Sequence, residues 1–352
     1  MTAQMTHRER ILAAIRHEGT DRIPTDYWGV PEVTEKLMRH FHAVDMPDLA
    51  RKMDIDKIIL VEPELVADRP NMLGIPMKKI PLPGGSGYYE EPEFFPLAGW
   101  ETIDEMEAHY TFPSTDMFDY STIPAQCRAA EGFALEGGYI SLTYFYEMLR
   151  GTEEMLVDFI ANPEIAEYIL FRLQEFAHDH TRKTLEAADG KIDVSQVTDD
   201  FGSQSGLLIG PEMIDRYLGA YYDQNIRMVK EHGAAVFHHD DGAIVDLMPW
   251  LTAKGIELLN PLQWHLPGWD LPALKRTYGA QLCFHGGIDN QYVLPFGTEE
   301  EVKQEVRACM DALYRDRTGY ILAPCHNVQA NTPLKNVLAM YQEAQEYSKK
   351  MC

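Results

Sequence analysis

No run of about 18 apolar residues occurs in this chain of 352, so no stretch reads as a helix that crosses a bilayer. The opening from Met1 to Gly19 carries His7, Arg8, Glu9 and Arg10 and has no apolar h-region. A secretory leader is therefore not expected. Cysteine is scarce: Cys127, Cys283, Cys309, Cys325 and Cys352 are odd in number, scattered, and form no C-x-x-C pair. That excludes a disulfide framework and points to a reducing compartment, so the expected location is the cytoplasm. Positive charge is short as well. Lysine and arginine number 31 against 55 acids, a formal net charge of −24. Such a surface repels phosphate backbones and anionic lipid, so neither nucleic acid nor membrane is an expected partner. A polyanionic substrate would need a strong local basic patch. No low-complexity tract or long charge run appears, which argues against disorder. No G-x-G-x-x-G follows the first strand, which leaves dinucleotide binding unsupported.

What is present is ordinary for a globular protein, 45% hydrophobic and 24% charged. The length suits a (β/α)₈ TIM barrel carrying insertions. Thr6-x-x-Glu9 and Thr298-x-x-Glu301 are capping boxes that open helices, and Asn162-Pro163 reads as cap and first helical residue. Strands are expected at Lys57–Val61, Tyr139–Tyr144, Val194–Thr198, Ala235–Phe237, Ile256–Asn260, Gln281–Phe284 and Tyr320–Ala323, with another strand and its loop over Arg22–Gly29. From Val194 onward strand and helix alternate over short connections, the order that calls for parallel strands with helices outside. An open doubly wound sheet is the competitor. Between Pro63 and Pro124 prolines and glycines are frequent, among them Pro81, Pro83, Gly84, Gly85, Gly87, Pro92 and Pro96. The chain thus reads as one barrel domain over 1–352 with an irregular insertion around 63–124 that covers a site.

The polar clusters follow strands rather than precede them. Ala235-Val236-Phe237 runs straight into His238-His239-Asp240-Asp241-Gly242, and Tyr320–Pro324 into Cys325-His326-Asn327. In a (β/α)₈ barrel such ends gather at the C-terminal mouth, where catalysis occurs. Asp199, Asp200, His239, Asp241, Asn260, His285, Asp289, Cys325 and His326 would then converge. His239, Asp241 and His326 form a metal triad with one position left open, and Cys325 is a substitute thiolate ligand. Zn²⁺ suits that donor set, and two imidazoles with one carboxylate also fit non-haem iron. The competing reading makes Asp241 a helix cap and His239 a core residue. Asp199 and Asp200 are candidates for acid–base work, since paired carboxylates push their pKa values apart; turn acids are the alternative. Tyr27, Trp28, Tyr144 and Tyr146 would line an aromatic pocket or simply pack.

In their order and spacing several fragments resemble the uroporphyrinogen decarboxylase-like superfamily, and within it the corrinoid-dependent methyltransferase branch. They are Arg8-Glu9-Arg10-Ile11 with Asp21-Arg22-Ile23-Pro24, Asp199-Asp200-x-Gly202, His239-x-Asp241-Gly242, Asn260-Pro261-x-Gln263, Gly286-Gly287-Ile288-Asp289, and His326-Asn327-Val328 with Asn331-Thr332-Pro333. They span nearly the whole chain. The resemblance implies a (β/α)₈ barrel, a zinc ion, and a methyl group moved between a small methylated donor, such as an aromatic methyl ether, and a corrinoid carried by a partner protein, as in O-demethylation. Asn260, Gln263, His285, Asp289, Tyr27, Trp28 and Tyr144 would hold the substrate.

Methyltransferases of this branch bind zinc through H-x-C and a later cysteine. Here those positions read His239-Asp240-Asp241 and His326, beside Cys325. Fewer thiolates make a harder, more electrophilic metal, suited to an ether or hydroxyl oxygen. The decarboxylase branch carries an early R-Q-A-G-R stretch for a tetrapyrrole's acetates, where this chain has Pro24-Thr25-Asp26-Tyr27-Trp28-Gly29. A metal-free carboxy-lyase acting on a small substrate is the alternative, and a silent barrel that only binds a corrinoid protein or small ligand is a third.

Overall fold

The computed structural model describes residues 4–81 and 88–351. Pro83, Gly84, Gly85, Gly87, Cys352 and the first three residues of the opening segment lie outside the described residues. In chain order the strands are β1 (Ile59–Leu60), β2 (Glu64–Leu65), β3 (Met77–Pro81), β4 (Tyr88–Pro92), β5 (Phe118–Asp119), β6 (Leu135–Ile140), β7 (Val194–Val197), β8 (Ala235–His239), β9 (Leu258–Asn260), β10 (Cys283–Ile288) and β11 (Tyr320–Pro324).

Among the described residues one curled sheet of seven strands runs β1-β6-β7-β8-β9-β10-β11, and every neighbouring pair is parallel. Parallel neighbours need crossovers. Helices such as Pro163–Ala187, Pro211–Glu231 and Glu299–Leu313 supply them. Strands covered on both faces must be apolar throughout, and β7 and β11 are buried at every position. The α/β class expected from the strand–helix alternation is what the chain adopts, in a form compatible with a barrel. The expected strand at Arg22–Gly29 is reduced to single bridges, Thr25 to Leu322 and Gly29 to Val328. Asp26 N donates to Leu322 O, Leu322 N to Pro24 O, and Asp56 N to Thr25 O. The segment therefore bonds β11 on one side and the approach to β1 on the other.

Two sequence expectations are corrected. The strand placed at Tyr139–Tyr144 lies at Leu135–Ile140, and a helix already runs from Leu142 to Arg150. Gly137 and Gly138 hide the strand from an apolar pattern. Gly138 has φ +84°, and a Cβ there would meet Thr181 Cγ2 at 2.4 Å; the ladder shifts register between Glu136 and Tyr139. Asn162 stands at the cap position but makes no capping bond; its Nδ2 donates to Asp158 Oδ1. Both capping boxes form as expected. The segment 63–124 carries two antiparallel ribbons, β2 with β5 and β3 with β4, and helix Ile103–His109; helix Ile123–Ala129 starts at its end.

The core has two parts. Between sheet and helices lies the larger cluster. Inside the curl, Ile58, Ala134, Val194, Phe237, Leu258, Cys283 and Ile321 pack on Ile11, Leu12, Ala14 and Ile15 of the first helix, His7–Ile15. That helix lies at the N-terminal ends of the strands. It is held by buried Arg10, which bonds Asp21 Oδ1 at 2.6 Å and Asp56 Oδ1 at 2.5 Å. Arg22 adds a bond to Asp56 Oδ2 at 2.7 Å. A guanidinium this deep needs such carboxylates to offset its desolvation.

Candidate functional site

The opposite ends of the strands are polar, and their order follows from register. His239 of β8 pairs with Asn260 of β9. The next pair in the β9–β10 ladder, after Leu259 and Phe284, is Asn260 with His285. These three residues form one level across adjacent strands, two residues above the apolar layer of Phe237, Leu258 and Cys283. They are hydrogen-bonded in series. Asn260 Oδ1 lies 2.5 Å from His239 Nδ1, Asn260 Nδ2 lies 2.7 Å from His285 Nδ1, and His285 Nε2 lies 3.0 Å from Asp26 Oδ2.

The direction of the series is set at its far end. Burial opposes ionisation of Asp26, but Lys57 at 3.3 Å and the bond from His285 outweigh it and hold the carboxyl well below its ordinary range. Trp28 Nε1 and the backbone N–H groups of Tyr27 and Ile58 also donate to it. An ionised carboxylate only accepts. His285 must therefore donate from Nε2 and accept at Nδ1 from the Asn260 amide nitrogen. Asn260 then presents its oxygen to His239, which donates from Nδ1. The His239 lone pair is left on Nε2, at the mouth.

There His239, Asp241 and His326 meet, with one ligand-type atom from each all within 4.8 Å of one another. His239 Nε2 is 3.9 Å from Asp241 Oδ1, and His326 Nε2 is 3.9 Å from Asp241 Oδ2. Asp241 Oδ1 is buried without a hydrogen-bond partner, a costly state unless something else takes its charge. Burial raises the Asp241 carboxyl pKa against the pull of His239 and His326. It lowers that of His326 against the pull of Asp241. Both shifts favour neutral groups at a site that has no cation of its own. Two imidazoles, one with its lone pair fixed outward, and an orphaned carboxylate oxygen fit a divalent metal. Trp28 stacks on the His239 ring at 5.5 Å and meets His326 edge-on at 6.4 Å.

The other sequence candidates are placed as follows. Asp200 Oδ1 accepts the Asp241 backbone N–H at 3.0 Å and so holds the ligand loop. Asp199 is buried and does not face the mouth. It accepts Thr143 N at 2.6 Å, Thr143 Oγ1 at 2.7 Å, Ser141 Oγ at 3.2 Å and Tyr222 OH at 3.1 Å. Burial pushes its carboxyl up to about 7 against the Thr143 bonds. Asp289 caps the turn after β10 through Gln291 N, Tyr292 N and Val293 N. Asn260 and His285 are fully buried beneath His239. Tyr27 is buried, with its hydroxyl 3.0 Å from Thr34 Oγ1. Tyr144 is exposed at the rim, and Gln263 lines a cleft beside Asp241 and His326. Cys325 is not brought to the group. Strand alternation stops at Pro324, and its Sγ turns back to Leu262 O at 3.3 Å, where burial lifts the thiol well above its ordinary range.

Sequence reasoning missed Asp26, whose contact with His285 joins residues 259 apart in the chain. No spacing pattern could reveal that. It also missed the cleft residues Asn290, Gln291 and Gln329 and took Asn331 only as part of a motif, although the density of amides around Asp289 and His326 was a readable signal. Glu147 was missed too; burial, then Asp200 and Asp199, push its carboxyl up to about 7.

The family model of uroporphyrinogen decarboxylase (URO-D) matches residues 138–347. Among solved structures, a methyltransferase from Methanosarcina mazei superposes with a TM-score of 0.67 at 16% identity, covering 98% of this chain and 99% of that one. A B12-independent methionine synthase from Shewanella sp. W3-18-1, in complex with selenomethionine, superposes with a TM-score of 0.50 at 11% identity, covering 94% of this chain and 98% of that one. At these identities the likeness is one of fold. No curated protein matches the chain in sequence.

Proposed function

This chain belongs to the uroporphyrinogen decarboxylase (URO-D) family, and from that premise we propose that it is a zinc-dependent methyltransferase. It moves a methyl group between a small methylated donor, such as an aromatic methyl ether, and a corrinoid held by a partner protein. The observation that carries the reading is the His239–Asp241–His326 group, whose ligand atoms lie within 4.8 Å of one another at the strand ends. The methyltransferase among the structures of like fold supports it.

His239, Asp241 and His326 would hold the ion and leave a fourth position open. Zinc bound there would supply Lewis acidity toward the donor's oxygen as its methyl leaves. The protein's own residues prepare that event. Asn260 orients His239, Asp200 fixes the backbone of Asp241, and the Trp28 ring packs against both imidazoles and keeps water off that side. Gln263 and Tyr144 stand at the mouth to position the donor. The corrinoid, as methyl acceptor, would supply the nucleophile, and the donor's carbon–oxygen bond would break with its electron pair left on oxygen. Four buried cysteines, all free, fit a reducing compartment such as the cytoplasm. No helix among the described residues is long and apolar enough to cross a membrane.

The test is metal content together with methyl transfer. Purified protein should carry about one zinc per chain and methylate cob(I)alamin from at least one of a panel of methyl ethers. His239→Ala should lose both. One observation favours the metal-free carboxy-lyase instead: the Glu147 carboxyl is pushed up to about 7, chiefly by burial, and so could donate a proton near neutrality. A protein without metal, indifferent to chelators and releasing CO₂ from a small acid, would replace the first reading with that one.

A further inference from the structure

A cavity of about 270 Å³ lies inside the curl on the side of β1, β6 and β7, apart from the cleft beside Asp241 and His326. Trp28, the ring that packs on both ligand imidazoles, forms one wall, and Met46, Ile58 and Leu60 add apolar surface. Lys57, Glu136 and Gln196 form its polar edge. Glu136 of β6 stands two residues beyond Ala134, and Gln196 of β7 two beyond Val194. Ala134 and Val194 belong to the inner apolar layer, so both polar side chains share its inward face.

Glu136 is 8% exposed, and Gln196 Nε2 donates to its Oε1 at 2.5 Å. Among the described residues nothing bonds Glu136 Oε2 or Gln196 Oε1, and neither atom is sealed from the cavity. Nor does any cation of the described residues lie within ion-pairing distance of Glu136. Lys57, the single cation among the lining residues, is held by Asp26 at 3.3 Å. Burial lifts the Glu136 carboxyl above its ordinary range, against the pull of the Gln196 bond and of Lys57. A buried carboxylate without a counter-charge is costly, and here the free oxygen faces space that a ligand can fill. An ammonium group suits it: it only donates, it meets two acceptors side by side, and its charge supplies the missing counter-ion. The Trp28 ring adds a face that attracts cations. A ligand carboxylate would face Glu136 and Asp26, and a hydroxyl would leave the charge uncompensated.

We propose that this inner cavity is a binding site for the ammonium end of a small ligand, with Glu136 Oε2 and Gln196 Oε1 as its acceptors and Trp28 as its wall. The proposal stands on the cavity alone and does not depend on methyl transfer. A dication held by His239, Asp241 and His326 would repel such a ligand across the Trp28 ring, offset in part by Asp241, so metal content enters the test.

The probes are benzylamine, charged near neutrality, and benzyl alcohol, its uncharged analogue of the same size. Binding to the full chain is followed by calorimetry, both as purified with its zinc content measured and after a chelator has stripped it. Benzylamine should bind the stripped chain about ten-fold tighter than benzyl alcohol, with a smaller lead on the zinc-loaded chain. Glu136→Gln keeps the shape of the side chain, removes its charge, and should erase that lead. Leu60→Trp fills the cavity from a half-exposed position of its wall and should block both probes, with an unchanged melting temperature confirming the fold. No lead for benzylamine in either form, binding of neither probe, or a lead that survives Glu136→Gln would each overturn the proposal. The two readings fail separately. A chain without zinc or methyl transfer that still prefers benzylamine keeps this site, while zinc and transfer without that preference discard it.

Discussion

Replacing Asn260 by alanine removes both ends of the amide that joins His239 to His285. Its two hydrogen bonds span 2.5 and 2.7 Å, and Asn260 is fully buried, so water does not readily substitute. Each buried group left without a partner costs about 1–3 kcal/mol, and the protein should lose about 3 kcal/mol of stability. The effect on the metal group is more specific. Without the Asn260 oxygen the His239 ring is free to carry its proton on Nε2, where it blocks coordination, and removing such a supporting bond typically weakens metal affinity by about 10–100-fold. Asn260→Asp keeps an oxygen for His239 and should retain affinity within a few-fold, while the new carboxylate recruits a proton onto His285 Nδ1. Two measurements decide. Competition against a chromogenic chelator gives zinc affinity, and long-range ¹H–¹⁵N spectra of the metal-free protein give the tautomer of His239. Wild type should show a single Nδ1–H form and Asn260→Ala a mixture. If the alanine variant binds zinc within two-fold of wild type and keeps one tautomer, the series from Asp26 to His239 does not orient the ligand, and an orienting role for it is refuted.

Further outcomes follow from neighbouring features. A Cβ on Gly202 would sit 2.1 Å from Asp241 O, so Gly202→Ala must displace the ligand loop; zinc affinity should fall at least ten-fold even where circular dichroism shows a folded chain. The Asp199 carboxyl is raised from 3.8 to about 7, chiefly by burial. The folded state therefore holds a proton that the unfolded chain releases, and this contribution is present in full below about pH 4 and lost as pH rises through about 7. A shift of that size corresponds to about 4 kcal/mol, so urea melts of wild type should weaken between pH 4 and 7 more steeply than those of Asp199→Asn. Equal slopes would remove Asp199 as the source.

How much of this was legible in the chain depends on whether the information was local. Capping boxes at Thr6 and Thr298 are spacing rules within one turn, and both form. The apolar-to-polar passage at Phe237–His239 marks a strand end, and the structure has β8 ending at His239. The meeting of His239, Asp241 and His326 was readable because every polar cluster followed a strand, and parallel strands bring those ends to one side. Cys325 was offered as a substitute ligand because it stands beside His326, but its side chain packs inward with Sγ on Leu262 O. That Asn260 and His285 lie on one level with His239 is shown only by the register between β8, β9 and β10. Such lateral alignment is decided by packing across strands and leaves no trace in spacing along any one of them. Gly137 and Gly138 erased the strand signal at β6 by bulging it.

The helix His7–Ile15 has a consequence of its own. By packing Ile11, Leu12 and Ile15 against the inner apolar layer, it makes the scaffold a flask with a stopper in its base. Should a larger molecule settle on the opposite, polar ends of the strands, a small guest held near the inner imidazoles would find no exit through that floor.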